Sequence, residues 1–141
     1  MALRYLGRRE YAGQELVRKL QQRGVESETA EAVLEELQEL GLQSDTRFAE
    51  SFSRQRVMAG YGPARIRSEL RHRGVNDALV SEALAPFEDD WYELAQAWAS
   101  RKARGELDEK ARARLYRGGM NRGFSHDQIM RAIDALRRGD G

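Results

Sequence analysis

The sequence predicts an all-α protein of three tandem three-helix repeats in an elongated arrangement, and three observations predict it. One phrase is written three times, as LQQRGVESETAEAVLEEL at Leu20–Leu37, LRHRGVNDALVSEALAPF at Leu70–Phe87 and GMNRGFSHDQIMRAIDAL at Gly119–Leu136. Each copy carries Arg-Gly-apolar at Gly24, Gly74 and Gly123, an interval of about fifty residues that suits stacked supersecondary units. Apolar residues recur at helical spacing nearly everywhere, no segment alternates like a strand, and Pro63 and Pro86 are the only two prolines. The expected repeats are 1–43, 44–86 and 87–141.

The first repeat opens with ALRYLGRREY, a short helix presenting Leu3 and Leu6, and continues with GQELVRKLQQR, which places Leu16 and Leu20 on one face. Gly24 ends that helix. Ser27 is the expected N-cap of a third helix carrying Ala30, Val33, Leu34 and Leu37. In the second repeat Ser44 caps a helix bearing Phe48 and Phe52, GYGP breaks the chain, and Pro63 takes the first position of the next helix, where a missing N–H costs little. Ile66 and Leu70 face inward. After Gly74, Asn76 or Asp77 caps a helix with Val80, Ala83 and Leu84 that stops near Pro86. The third repeat has a stripe of Trp91, Leu94, Ala95 and Trp98, a break at Gly105, a helix starting at Asp108, and a capping box at Ser125 and Gln128 before Ile129, Ile133 and Leu136.

The recurring Arg-Gly-apolar phrase is therefore a helix end. Glycine supplies the left-handed C′ residue, and the apolar residue after it folds back over the last turn. Arg23, Arg73 and Arg122 stand where positive charge meets the negative end of the helix dipole, worth about 0.3–1 kcal/mol at a surface. They need no ligand. A single small three-helix unit buries little of its chain, so contacts between neighbouring repeats should matter, and such arrays usually present extended surfaces to large partners.

Composition excludes several classes of function. Cysteine is absent, which removes disulfides, thiolate chemistry and thiolate-bound metals, and no apolar run is long enough for a bilayer or a secretion signal. A cytoplasmic protein is expected. His72 and His126 lie in different repeats without HExxH spacing, so no metal site is expected. GYGPAR lacks a Walker lysine and a third glycine, and Ser51, Ser53 and Ser68 have no His/Asp constellation. Glu88, Asp89 and Asp90 begin a helix, where negative charge is favoured anyway. No catalytic residue and no cofactor follow.

Charge is the informative surface signal. The net charge is only +1, yet the windows Arg47–Arg73 and Arg101–Arg122 each carry a local excess of five positive charges. At 100° per residue Arg47 and Arg54 point almost opposite to Phe48 and Phe52 as a solvent-facing pair. Arg67 and Arg71 flank the Ile66/Leu70 face, and Lys110, Arg114 and Arg117 form a stripe beside Ala111 and Leu115. These side chains suit phosphate or an acidic protein surface, or simply face solvent. Trp91 and Trp98 have core spacing, whereas Tyr61, between Gly60 and Gly62 in an expected loop, is a candidate partner contact.

Three segments taken in order, ALRYLGRREYAGQELVRKLQQRGV, SDTRFAESFSRQRVMAGYGPARIRSELRHRGV and RGFSHDQIMRAI, resemble the RecX family of regulators of the RecA recombinase. The central segment is the most specific, with an acidic residue before Arg47-Phe48-Ala49, a basic helix ending at Gly60, then Gly62, Ile66, Glu69 and Leu70. The resemblance covers nearly the whole chain. It implies three tandem repeats, no enzymatic activity, and binding in the groove of the RecA–DNA filament that holds down its ATPase, strand-exchange and co-protease functions; a monomer is expected. Gly118-Gly119 departs from the bulky apolar residues of the family pattern. At about 1 kcal/mol per glycine relative to alanine, this pair predicts a shortened or kinked helix.

Two other classes stay open. In a helical nucleic-acid-binding module, Arg47, Arg54, Arg67, Arg71, Lys110, Arg114 and Arg117 contact the phosphates of single- or double-stranded DNA directly. In a passive helical adaptor the same residues are idle. Purified protein is expected to hydrolyse no nucleotide, which a phosphate-release assay on contaminant-free material checks; robust turnover would overturn this reading.

Overall fold

The computed structural model describes residues 1–139. Among them the chain forms nine α-helices and no strand: α1 (Ala2–Leu6), α2 (Gly13–Gln22), α3 (Ser27–Glu39), α4 (Asp45–Met58), α5 (Pro63–His72), α6 (Asp77–Leu84), α7 (Trp91–Lys102), α8 (Glu109–Arg122) and α9 (His126–Arg137). A 3-10 turn at Ala85–Phe87 follows α6 and holds Pro86. No described helix is long and apolar enough to cross a membrane. The helices gather into two compact units, one of Met1–Ser53 with Glu69–Ala83, the other of Arg54–Ser68 with the chain from Leu84 on. The division falls inside α4 and inside α5.

The first unit is organised around α2. Leu16, Val17 and Leu20 lie in one buried cluster with Ala30, Leu34 and Leu37 of α3 and with Ala2 and Tyr11. Leu3, expected inside, is instead 63% exposed. The helix α1 is barely more than a turn, and its inward positions are Ala2, Tyr5 and Leu6, at i, i+3 and i+4. The N-terminus of α2 has no side-chain cap of its own, since Ala12 holds the cap position. Tertiary structure supplies one: Asp45 Oδ1, on α4, accepts from the Gly13 N–H at 2.8 Å and from Gln43 Nε2 at 3.0 Å. Gln43 is itself buried, and its amide also donates to the Tyr11 carbonyl at 3.0 Å.

The second unit buries Trp91, Ala95 and Trp98 of α7 with Ile129, Ala132 and Ile133 of α9, and Phe124 sits 6.2 Å from Trp98, centroid to centroid. Both tryptophans are core residues, as their spacing predicts. Gly118 and Gly119 do not break or shorten α8, which runs to Arg122. They are contact surfaces. A Cβ on Gly119 would collide with Cδ1 of Ile129, and one on Gly118 would stand 3.1 Å from Cη2 of Trp98. The close approach of α8 to α9 and to the indole offsets the low helix propensity of glycine.

Caps follow the sequence at most helix starts. Ser44 Oγ accepts from the Arg47 N–H, Asn76 Oδ1 from Leu79, Asp108 Oδ1 from Ala111, and Ser125 forms the capping box with Gln128. Ser27 is the exception. The cap position belongs to Glu26, extended at φ −65° and ψ 150°, and Ser27 is already the first helical residue. The turn before α3 closes one residue early because Val25 folds back on α2.

That turn recurs in the same form at each Arg-Gly phrase. Gly24, Gly74 and Gly123 have φ of 92°, 86° and 97°, and the N–H groups of Val25, Val75 and Phe124 donate to the carbonyls of Leu20, Leu70 and Gly119, each at 3.1 Å. This is the Schellman arrangement. The surroundings differ. Gly24 has open space, whereas a Cβ on Gly74 would stand 2.7 Å from Cγ of Gln14 and one on Gly123 2.5 Å from the Arg65 nitrogen. Two of the three turns are thus docked on the start of an earlier helix, Gly74 on α2 and Gly123 on α5. Alanine at Gly24 is expected to cost about 1–2 kcal/mol for the left-handed backbone alone. Alanine at Gly123 should cost clearly more, and urea unfolding followed by helical ellipticity compares them; equal losses would mean that docking contributes nothing.

Candidate functional site

The second docked turn builds the floor of a cleft. The Gly62 N–H donates to the Arg122 carbonyl at 2.7 Å and the Ala64 N–H to the Gly123 carbonyl at 3.0 Å, so backbone is clamped to backbone. Gly62 cannot carry a side chain here, because a Cβ would collide with the Gly123 carbonyl and the Phe124 nitrogen. Arg122 closes the clamp from outside, its Nη1 donating to the Ala59 carbonyl at 3.1 Å while its guanidinium lies 4.4 Å from the centre of the Tyr61 ring. Arg56 and Arg65 lie 3.9 and 4.6 Å from the same centre. Tyr61, expected to lack local cover, is half-buried among these guanidiniums.

Beside this clamp a cleft of about 560 Å³ opens between the Tyr61 turn, the end of α7, the loop after it and α8. Its apolar lining comes from Trp98, Leu107, Ala111 and Leu115, and its cations are Arg65, Lys102, Arg104, Arg114 and Arg122. No carboxylate among the described residues lines it. Arg104 Nη1 donates to the carbonyls of Arg101 and Ala103, at 3.0 and 3.1 Å. A second concavity adjoins it, sharing Trp98, Lys102, Arg104 and Arg122 and adding Arg101. Trp98 is 4% exposed, and its Nε1 has no hydrogen-bond partner among the described residues.

The other candidate residues are dispersed. Arg47 is exposed but already engaged, its Nε donating to both oxygens of Glu10 at 3.0 and 3.3 Å. Arg71 Nε donates to Asp77 Oδ1 at 2.8 Å. Arg54 is exposed and Arg67 half-buried. On α8, Lys110, Arg114 and Arg117 are all exposed, but only Arg114 reaches the cleft. Arg65, Lys102, Arg104 and Arg122 escape a search for one-helix stripes because they come from different elements; their signal in the sequence is the local basic excess around them.

Arg73 and Arg122 also do more than meet a helix dipole. Arg73 Nη1 pairs with Glu15 Oε2 and its guanidinium lies 5.0 Å from the Phe52 ring centre, so this arginine ties its own turn to α2 and α4. No metal-holding group of three or more His, Cys, Asp or Glu side chains occurs among the described residues.

Family models match the chain in three consecutive stretches: the first three-helix domain of RecX over residues 1–37, the second over 44–84 and the third over 88–133. The chain belongs to the RecX family. It is 45% identical over 141 residues to the regulatory protein RecX of Pseudomonas syringae pv. tomato, covering 99% of this chain and 90% of that one. The RecX regulatory protein of Legionella pneumophila is 40% identical over 143 residues, 96% of this chain and 92% of its own. A crystal structure of regulatory protein RecX superposes with a TM-score of 0.83 at 26% identity, covering 94% of this chain and 69% of that one. RecX from Lactobacillus salivarius shares the fold, with a TM-score of 0.77 at 24% identity over 97% of this chain and 92% of that one.

Within this RecX-family chain the clamp and the cleft separate experimentally. Arg122→Ala removes a charged hydrogen bond to a carbonyl and a ring contact, and should cost about 1.5–3 kcal/mol. Arg114→Ala, at an exposed position, should stay within about 0.5 kcal/mol of the parent. Chemical denaturation of both variants checks the contrast.

Proposed function

We propose that this chain is a non-enzymatic negative regulator of the RecA recombinase, one that binds the groove of the RecA–DNA filament and suppresses its ATPase, strand-exchange and co-protease activities. The observation that carries the reading is similarity to RecX regulatory proteins along almost the entire chain, through all three helical domains. A regulator of this kind acts in the cytoplasm, as a monomer and without a cofactor. Its grip on a filament combines apolar packing with a limited number of ion pairs. Bridging neighbouring RecA protomers would oppose the movements that accompany nucleotide hydrolysis.

A second reading, direct binding to nucleic-acid phosphates, is favoured by the exposed cations of α8 and by the charge of the second unit. That unit holds 15 basic and 10 acidic residues, net +5, against 9 and 13, net −4, in the first. In this reading Arg54, Lys110, Arg114 and Arg117 track a backbone. The two readings differ in salt dependence, since each phosphate neutralised on a single strand contributes about −0.7 to the log–log slope.

Substoichiometric protein added to a preformed RecA filament is expected to lower ATP hydrolysis, and Arg54→Glu to weaken that effect without changing helicity or melting. Labelled protein titrated across a salt series should give the filament a shallow slope, equivalent to about one to three phosphates, and bare single-stranded DNA much weaker binding. A steep slope common to both targets would make the DNA-binding reading the better one. Undiminished hydrolysis would overturn the regulator.

A further inference from the structure

We propose that the cleft of the second unit is the docking site for an acidic segment of a partner protein, anchored by one leucine-sized apolar side chain. The inference deepens the filament reading and rests on its protein-directed half. The floor of Leu107, Ala111 and Leu115 is apolar, and the volume of about 560 Å³ suits a short anchored peptide. Lys102, Arg104, Arg114 and Arg122 line the same space with no carboxylate among the lining residues. Among the described residues Arg104 and Arg122 donate to carbonyls, and Arg122 also lies against the Tyr61 ring, but neither pairs with a carboxylate. The basic excess is local to this unit, because the chain as a whole carries only +1. Like charges gathered over an apolar floor are stabilised by an anion that brings its own apolar group, and such an anchor in a charged rim is a common form of protein recognition.

Nucleic acid fits the cleft less well. Base recognition on a single strand needs an exposed aromatic face. Trp98 is 4% exposed, and the Tyr61 ring is already attended by Arg56, Arg65 and Arg122. A phosphate backbone would use the rim and leave the apolar floor empty. The Trp98 indole N–H, buried beside the cleft without an acceptor among the described residues, is a further group that an incoming carboxylate could satisfy after a small opening.

The test uses the full chain and a blocked synthetic peptide, Glu-Glu-Leu-Asp-Glu, against two controls, Gln-Gln-Leu-Asn-Gln and Glu-Glu-Gly-Asp-Glu, and against oligo(dT). Only two tryptophans exist, so the indole N–H resonances of Trp98 and Trp91 are a direct readout. The acidic leucine peptide should shift Trp98 saturably while Trp91 stays put, and both control peptides should bind more weakly. Arg104→Glu with Arg114→Glu, both at exposed positions, should weaken the peptide about tenfold or more, equivalent to about 1.4 kcal/mol. The milder pair Arg104→Gln with Arg114→Gln should weaken it to a smaller extent, and circular dichroism verifies that both variants are folded. No Trp98 shift, equal binding of the neutral peptide, or unchanged binding by the folded variants would overturn the proposal. So would tighter oligo(dT) binding at the same resonances, or salt-sensitive self-association relieved by the charge reversal, which would assign the cleft to DNA or to a second copy. Peptide binding needs no filament, so its failure is distinguishable from a failure to suppress RecA ATPase.

Discussion

The Arg-Gly turn that ends the middle helix of a repeat, seated on the start of an earlier helix, is the contact on which both compact units depend. In the first unit it joins α5 to α2 through Gly74 against Gln14 and Arg73 against Glu15. In the second it joins α8 to α5 through two backbone hydrogen bonds and the Arg122 clamp. Each seat needs the same two properties of glycine, a left-handed backbone and the absence of a Cβ. The second seat also uses Gly62, whose missing Cβ lets the Gly123 turn approach its backbone. Only the second seat brings backbone within hydrogen-bond reach of backbone.

Smallness serves the rest of the second unit in a similar way. Trp98 is large, and α8 receives it by presenting Gly118 and Gly119 on the side that faces it, with Ile129 filling the space beside Gly119. The indole is thereby fixed against α8, and Trp98 lines the cleft. Local helix propensity is sacrificed at two positions for close packing at three elements, an exchange that only a tertiary contact can make favourable.

Charge follows the same division. A near-neutral chain contains an acidic unit and a basic one, and the basic unit concentrates its cations around an apolar depression. Such a surface attracts anions at a distance and selects among them at contact, since rim charge steers an encounter while the floor discriminates by shape and apolarity. On the filament reading proposed above, that separation would help to tell a protein–DNA assembly from bare DNA. Net charge alone would conceal it.

The helices, their caps and the three glycine turns were legible in the sequence, because periodicity, cap residues and left-handed glycines are local consequences of residue type. The core spacing of Trp91 and Trp98 was legible for the same reason. The turn at Ser27 was misplaced by one residue because serine is the better side-chain cap, whereas Glu26 holds the position with no side-chain cap bond and the fold-back of Val25 sets where the helix starts. Arg73 and Arg122 read as helix-end charges, since nothing local announces that Glu15 or Ala59 will lie beside them. Gly118-Gly119 read as weakness because the indole and the isoleucine that require the space stand more than nine residues away in the chain. Arg47 looked free while Glu10 stood far from it in sequence. Of the cleft, sequence alone supplied the basic excess, Tyr61 and Arg114; its apolar floor and its convergence of cations from α5, α7, α8 and the loop between α7 and α8 exist only once the Arg-Gly seat has closed. Short-range sterics and hydrogen bonding act within a few residues and can be read from a string of letters, whereas the site is made by contacts whose partners are chosen by the packed core.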